Sequence, residues 1–231
     1  MEKKMNRREF MKASAATGAI LSMAPSFTLA EEPKSIQLLT PQPGSGSPLM
    51  QVLWKRMSSR EFSPKPLPVE VLSNLLWAGF GINRPDGKRT APYPRAAMKN
   101  RDQQDMDIYV ILSDGLYLYD PKANQLKLLL AEDLRGLAGT QAYVKEAPVN
   151  LIYVSDYAKM KDDQANEHKI ALSFANAGCI SENVYLYCIS EGLATIVRAL
   201  IDKPALSKAM KLRPDQKIIL GQTVGYPKKT S

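Results

Sequence analysis

The longest apolar run in the sequence spans residues 170–189, where small or apolar side chains fill almost every position of a helical projection. Asn176, Glu182 and Asn183 are its chief interruptions. A helix on a protein surface keeps one polar face, so this pattern predicts a buried helix, either within one chain or shared between two subunits. A membrane span of about 20 residues is the alternative, and the polar cluster near the middle of the run makes that span costly.

Shorter patterns predict the rest of the fold. Apolar residues at helical spacing predict helices over residues 49–56, 68–78 and 204–210. Alternating or continuous apolar stretches predict strands at residues 107–112, 116–119, 125–130, 149–155 and 217–226. We expect one or two short helices in residues 131–145, and a polar loop outside the core in residues 83–107. Because strands and helices do not alternate regularly, the predicted class is α+β.

The N-terminus has the composition of an export signal. Asn6-Arg7-Arg8-Glu9-Phe10-Met11-Lys12 is followed by a mild apolar segment, by Ala30 and then by two acidic residues. This order is typical of a secretory signal peptide, and the paired arginines resemble the twin-arginine export motif. We therefore expect a twin-arginine signal peptide at residues 1–30, a linker or surface-hugging arm at 31–47, and a folded domain at 48–231. A disordered basic tail is the alternative.

Charge and composition limit which ligands, metal sites and catalytic groups the protein can have. Residues 1–30 account for +3 of the formal net charge of +8, and the remaining +5 suits an anionic ligand or surface. The lack of a dense basic stripe with interleaved aromatics argues against nucleic acid. Cys179 and Cys188 would lie roughly 13 Å apart on one helix, too far for a disulfide, and are expected in the core. The single histidine, His168, leaves little material for a metal site or a catalytic triad and is expected to be solvated.

A basic segment follows the first predicted helix. In Arg56-Met-Ser-Ser-Arg-Glu-Phe62 an extended backbone would put Arg56, Ser58 and Arg60 on one side. Two guanidinium groups around a hydroxyl suit a phosphate group, because arginine offers a planar fork to its oxygens. The alternative is a short solvated basic loop.

Two further segments could bind a ligand. Lys88-Arg-Thr-Ala-Pro92 precedes Asn100, Gln103 and Gln104, and amide side chains can pair with the donors and acceptors of a heterocycle. At the end of the long helix, Glu191-Gly-Leu-Ala-Thr195 could turn backbone N–H groups toward a ligand. An ordinary glycine cap of the helix is the alternative there.

Taken in chain order over residues 47–227, these segments resemble the nitroreductase superfamily of FMN-dependent oxidoreductases. The likeness is carried by Arg56-x-Ser58-x-Arg60-x-Phe62, by Lys88-Arg-Thr-Ala-Pro92 with Asn100 and Asp107-Ile-Tyr-Val110, by Ser181-Glu-Asn-Val-Tyr-Leu186, by Glu191-Gly-Leu-Ala-Thr195, and by Arg213-Pro-Asp215 with Val224-Gly-Tyr-Pro227. The resemblance implies a mixed or antiparallel sheet flanked by helices around the long buried helix. It also implies a homodimer with FMN at the subunit interface.

The resemblance assigns roles to particular residues. It implies that Arg56, Ser58 and Arg60, with Lys228 or Lys229, contact the phosphate and ribityl groups, and that Asn100 and Gln103 face the pyrimidine edge of the flavin. Backbone N–H groups of Gly192 and Leu193 would lie near the flavin N5 and O4. No side chain is required as a nucleophile, so no catalytic residue and no metal are expected.

Within the superfamily, Tyr117-Leu-Tyr-Asp120 resembles the branch of thiazoline- and oxazoline-oxidising dehydrogenases. The chain departs from the family pattern at Tyr93-Pro-Arg-Ala-Ala-Met-Lys99, where residues look inserted, and at Ala194, which replaces a glycine. Two rivals stay open: an exported flavin- or ligand-binding protein on the same fold without turnover, and a structural envelope domain without cofactor.

Overall fold

The fold was analysed in a computed structural model that describes residues 34–42, 44, 46–84, 87–91, 97–99 and 104–228. The expected signal peptide at residues 1–30 lies outside these ranges and stays a prediction.

A seven-stranded sheet runs through the described part of the chain in the order β1-β4-β3-β2-β5-β7-β6, and every neighbouring pair of strands is antiparallel. The strands are β1 (Ser35–Gln37), β2 (Met106–Leu112), β3 (Gly115–Asp120), β4 (Gln125–Leu130), β5 (Val149–Asp156), β6 (Ala194–Arg198) and β7 (Gln216–Gly225). Every residue of β5 is buried, as a continuous apolar run predicts for a central strand.

Five α-helices accompany the sheet in the described ranges: α1 (Leu49–Lys55), α2 (Val69–Phe80), α3 (Ala142–Glu146), α4 (Asn166–Ser190) and α5 (Lys203–Ala209). Short 3₁₀ turns occupy Arg135–Leu137 and Tyr157–Lys159. Ile180 and Val184 of α4 join a core cluster with Leu75 and Leu76 of α2 and the inner face of the sheet. The α+β class, the three-stranded meander and the long helix over the sheet are thus confirmed.

The sequence patterns did not predict two of the seven strands in the described part of the chain, β1 and β6. β1 has three residues, and β6 follows so closely on α4 that residues 191–195 suggested only a turn. Both strands are short and lie at the two edges of the sheet, where the pattern of a half-buried strand is weakest.

The long helix is not buried on every side within one chain, which argues against burial by that chain alone and leaves the alternative of a helix shared between two subunits as a prediction. Ile170 and Phe174 are 46% and 42% exposed, and Cys179, expected in the core, is exposed as well. Cys188 is buried, as expected, and both thiols are free. The apolar face of α4 that points away from the sheet therefore has no cover in the described part of a single chain.

The arm before α1 is anchored rather than loose. β1 pairs with β4 and forms the edge of the sheet, and the Leu39 N–H donates to Ser73 Oγ on α2 at 3.0 Å. Further on, the Ser47 N–H donates to Ser190 Oγ at the end of α4 at 2.7 Å. Gly46 has φ +108° here, and a side chain would meet that hydroxyl, so a glycine is needed at the crossing.

The stretch expected to be a polar loop outside the core contributes buried residues where it is described. Met98 is buried and bridges Met160. Asp105 is fully buried, with its carboxylate accepting hydrogen bonds from Ser155 Oγ and Asn176 Nδ2, each at 2.8 Å. Burial raises the pKa of the Asp105 carboxyl from its ordinary 3.8, although both hydrogen bonds act to lower it.

In the described ranges, no helix combines the length and the apolar character that crossing a membrane requires.

Candidate functional site

Residues 56–65, called the arginine segment here, lie along one end of the sheet. The Ser59 N–H donates to Thr195 O of β6 at 3.0 Å, and the Ser63 N–H donates to Tyr226 O just after β7 at 2.9 Å. Phe62 is buried and bridges Pro227. These contacts hold the segment against β6 and the residues that follow β7.

Tyr185 of α4 holds the first half of the segment. Its hydroxyl lies 2.8 Å from Ser58 Oγ and accepts the Val197 N–H of β6 at 3.0 Å. The Arg56 guanidinium lies over the Tyr185 ring, 5.2 Å from the centroid. One buried phenol thus sets the positions of Arg56 and Ser58 relative to β6.

The second half of the segment meets the C-terminal residues. The Lys228 N–H donates to Glu61 O at 3.3 Å, which makes Lys228 a neighbour of Arg60 along the backbone. Arg56, Arg60 and Lys228 are all exposed, and none of the three forms an ion pair with any carboxylate in the described ranges. The segment therefore carries a surplus of positive charge beside the hydroxyl of Ser58.

Gly192 and Lys228 line a common cavity of about 490 Å³ together with Lys65 and Tyr226. The Lys65 ammonium lies 4.8 Å from the centroid of the Tyr226 ring. Gly192 has φ +68°, a conformation that favours glycine after the last turn of a helix. The glycine pattern thus marks the end of α4, at the mouth of a cavity that has basic groups in its wall.

The N–H groups of Gly192 and Leu193 are engaged within the helix cap. Gly192 N–H donates to Ile189 O at 3.3 Å, and Leu193 N–H donates to Cys188 O at 2.7 Å. This corrects the expectation that these two groups are free to face a ligand. Gly192 contributes a cavity wall, whereas buried Leu193 belongs to the core cluster.

Asn100, Gln103 and Lys229 lie outside the described residues, so their proximity to the arginine segment stays a prediction. Gln104, which belongs to the same amide group, is nearly buried. Its Oε1 finds no hydrogen-bond donor within the described ranges. His168 is exposed on the first turn of α4, as expected.

A buried arginine that sequence reasoning missed lies where β6 ends. The Arg198 guanidinium donates to Thr223 Oγ1, to Ala138 O at 2.8 Å and to Asn150 Oδ1 at 3.1 Å. Burial lowers its pKa to about 10, so it stays protonated at neutral pH. The available signal was an arginine that closes the apolar run Ile196-Val197, because a charged residue in such a place is usually paired or hydrogen-bonded.

Comparisons with known proteins agree on one family. The sequence profile described as "Nitroreductase family" matches residues 53–226. A crystal structure from Ralstonia eutropha JMP134, described as a "putative nitroreductase", is 40% identical with a TM-score of 0.78, and the match covers 87% of this chain and 96% of that one. The protein named "Putative nitroreductase MJ1384" from Methanocaldococcus jannaschii is 28% identical over 152 residues, which are 64% of this chain and 76% of its own length.

A more distant structural match is to one chain of a multi-protein complex. The Escherichia coli microcin synthetase McbBCD complex, solved with truncated pro-MccB17 bound, contains a chain with 16% identity and a TM-score of 0.62. The match covers 96% of this chain and 92% of that one. At this identity the likeness concerns the fold alone.

Proposed function

Because the chain belongs to the nitroreductase family, we propose that it is an FMN-dependent oxidoreductase that transfers hydride between flavin and a small organic substrate. The observation that carries the proposal is the set of exposed basic residues Arg56, Arg60 and Lys228, which lie in or against the segment that contains Ser58 and have no carboxylate partner in the described ranges. A phosphate monoester needs such a donor set, because it brings a double negative charge and several acceptor oxygens.

In this proposal each residue binds a particular part of FMN. Arg56, Arg60 and Lys228 neutralise the phosphate, and Ser58 donates to a phosphate or ribityl oxygen while Tyr185 holds its hydroxyl. By family likeness, Lys229 assists at the phosphate, and Asn100 and Gln103 pair with the pyrimidine edge. Bound FMN supplies the redox chemistry, and the protein supplies orientation and electrostatics. No side chain acts as a nucleophile in this scheme.

The proposal includes a homodimer. Trp54 and Met50 of α1 are 91% and 75% exposed, and Met57 just beyond that helix is 61% exposed. Exposed apolar side chains close together on one helix are typical of a protein interface, and Ile170 and Phe174 of α4 are exposed as well. Sedimentation of the purified protein tests this: a dimer mass is expected, and a monomer at micromolar concentration would contradict it.

The proposal also includes export by the twin-arginine pathway, supported by the Asn6–Lys12 sequence pattern. Nicotinamide cofactors are scarce outside the cytoplasm, so we infer that electrons come from the organic substrate itself or from a membrane or protein donor. Replacing Arg7 and Arg8 by lysine should hold the precursor in the cytoplasm. Normal export of that variant would refute the signal peptide.

The substrate class is left at small organic molecules. The Tyr117-Leu-Tyr-Asp120 motif in β3 supports the branch of thiazoline- and oxazoline-oxidising dehydrogenases. A screen of such heterocycles as donors, with quinones and nitroaromatics as acceptors, tests both directions of the reaction.

The test of the proposed function is the flavin content and turnover of the purified protein. We expect yellow protein that releases FMN on heating, identified by mass, and flavin that is bleached by at least one donor and reoxidised by an acceptor. Protein without flavin would contradict FMN binding. Flavin that stays oxidised with every donor would favour a binding protein without turnover.

A further inference from the structure

The hydroxyl of Tyr185, near the end of α4, meets an edge of the sheet. β6 is an edge strand, so some of its backbone groups face away from β7 and need partners outside the sheet. The Ser59 N–H donates to one of them, Thr195 O, at 3.0 Å. Another, the Val197 N–H, donates to the Tyr185 hydroxyl oxygen at 3.0 Å. The edge of β6 therefore uses the phenol oxygen of Tyr185 as an acceptor.

The same hydroxyl gives its own proton to Ser58. Tyr185 is 4% exposed, and a buried O–H donor without an acceptor is costly. In the described ranges the Tyr185 oxygen has two hydrogen-bond partners: the Val197 nitrogen, which can only donate, and Ser58 Oγ at 2.8 Å. Ser58 Oγ is thus the acceptor of the phenol proton. The chain of hydrogen bonds runs from the Val197 N–H to the Tyr185 O–H and then to Ser58 Oγ.

This direction commits the proton of Ser58 to a group other than Tyr185. Ser58 is half-buried, and its hydroxyl meets no acceptor within the part of the chain that the structure describes. The Arg56 guanidinium lies over the Tyr185 ring, 5.2 Å from the centroid, and can likewise only donate. Tyr185 therefore contacts two groups that both offer protons, one through its hydroxyl and one through its ring.

From this geometry we propose that Tyr185 is a positioning residue that commits Ser58 to donating, so that the group bound there is one that only accepts hydrogen bonds. The inference rests on the proposed FMN-binding function, and it assigns Ser58 to the phosphate. A phosphate monoester presents acceptor oxygens and negative charge, whereas a ribityl hydroxyl would bring a proton of its own. Because linked hydrogen bonds polarise one another, the proton from Tyr185 also strengthens the bond that Ser58 donates.

The test is a double-mutant cycle on the full chain after removal of flavin, with fluorescence titration of FMN and of riboflavin. Ser58→Ala should weaken FMN about tenfold, the size of one hydrogen bond to a charged group, and should leave riboflavin nearly unchanged. Tyr185→Phe should weaken FMN roughly fivefold, the size of one hydrogen bond between neutral groups. In the Ser58→Ala background it should have no further effect, because the phenol acts on FMN only through that hydroxyl.

Tyr119→Phe removes another buried phenol hydroxyl, one without a partner in the described ranges, and should leave FMN affinity unchanged. The inference would be overturned if Tyr185→Phe left FMN affinity unchanged, if it weakened FMN equally with and without Ser58, or if it weakened riboflavin as much as FMN. The last two results would mean that Tyr185 acts on the fold rather than through Ser58. Wild-type protein that does not prefer FMN to riboflavin would contradict the proposed function itself, so the two failures are distinguishable.

Discussion

Two arginine sites near β6 contrast in their surroundings. Arg198 is 7% exposed, and its guanidinium donates three hydrogen bonds to Thr223, Ala138 and Asn150. Arg56 and Arg60 are exposed and have no carboxylate partner in the described ranges. Both terminal nitrogens of the buried arginine are hydrogen-bonded within the fold, although its Nε has no partner in the described ranges. The exposed pair is held in place by backbone contacts without being neutralised. Positive charge that the fold leaves uncompensated, on a segment fixed by backbone contacts, is available to an anionic ligand.

The largest expected effect comes from removing the exposed pair. Arg56→Ala combined with Arg60→Ala should lower the affinity for FMN about 100-fold or more, because each charge-assisted hydrogen bond contributes about 1.5–3 kcal/mol. The free energy of unfolding should change by less than about 0.5 kcal/mol, as for other exposed side chains. Fluorescence titration with FMN and urea unfolding measure the two quantities.

A variant with the same loss of charge serves as the control for that experiment. Lys122 and Lys208 are exposed and remote in sequence from the arginine segment, so replacing both by alanine should leave FMN affinity nearly unchanged. If the lysine pair reduced affinity as much as the arginine pair, the effect would come from net charge rather than from the site.

The opposite result is expected at the buried site. Arg198→Met should reduce the free energy of unfolding by about 3 kcal/mol, because buried acceptors on three segments lose their donor. Arg198→Lys keeps the charge and part of the hydrogen bonding, so its loss should be smaller. The measurement is the urea concentration at the midpoint of unfolding, compared between variants whose dependence of unfolding free energy on urea has the same slope. A loss below about 1 kcal/mol in Arg198→Met would mean that the three acceptors find other partners.

Tyr185 is buried, like Arg198, but its hydroxyl contacts the exposed arginine segment. Tyr185→Phe removes the hydroxyl that contacts Ser58 and accepts from Val197, which should cost about 1 kcal/mol of stability and weaken FMN binding modestly. Tyr119→Phe, whose hydroxyl has no hydrogen-bond partner in the described ranges, is the control. Equal effects of the two variants would remove Tyr185 from the account.

Asp105 gives the smallest effect, seen only as a dependence on pH. Burial raises the pKa of its carboxyl in the folded state above the ordinary 3.8, so the folded protein holds this proton more tightly than the unfolded chain. The contribution of Asp105 to stability is therefore largest in acid and falls as pH rises above about 4, through the raised folded pKa. Asp105→Asn should lose more stability relative to wild type at about pH 4 than at about pH 7. A difference that does not vary with pH would contradict the raised pKa.

Much of the fold could be predicted because, in long segments, the pattern of apolar residues shows which side chains are buried. The long helix, the meander and the central strand β5 are of this kind. β6 could not be found in this way, because Arg198 ends a five-residue edge strand directly after a helix cap. The Arg198 side chain can be buried because it contacts Asn150 and Thr223, which are distant in sequence and adjacent only in the sheet.

The candidate site divides in the same way. The spacing of Arg56, Ser58 and Arg60 predicted an extended strip with one polar side. Phe62 has the same spacing but is buried, so that polar side ends at Arg60. Nothing in the local sequence indicated that Tyr185 would hold Ser58, or that the N–H groups of Gly192 and Leu193 would be used within the helix cap. Both depend on contacts made only after the helix packs on the sheet.

The central claim is that the arginine segment holds a phosphate group. The most direct measurement compares the affinities of flavin-free protein for FMN and for riboflavin, which differ only in that phosphate. We predict that FMN binds at least about 100-fold more tightly, the effect of two or more charge-assisted hydrogen bonds. Equal affinity for the two flavins, or no affinity for either, would contradict the account.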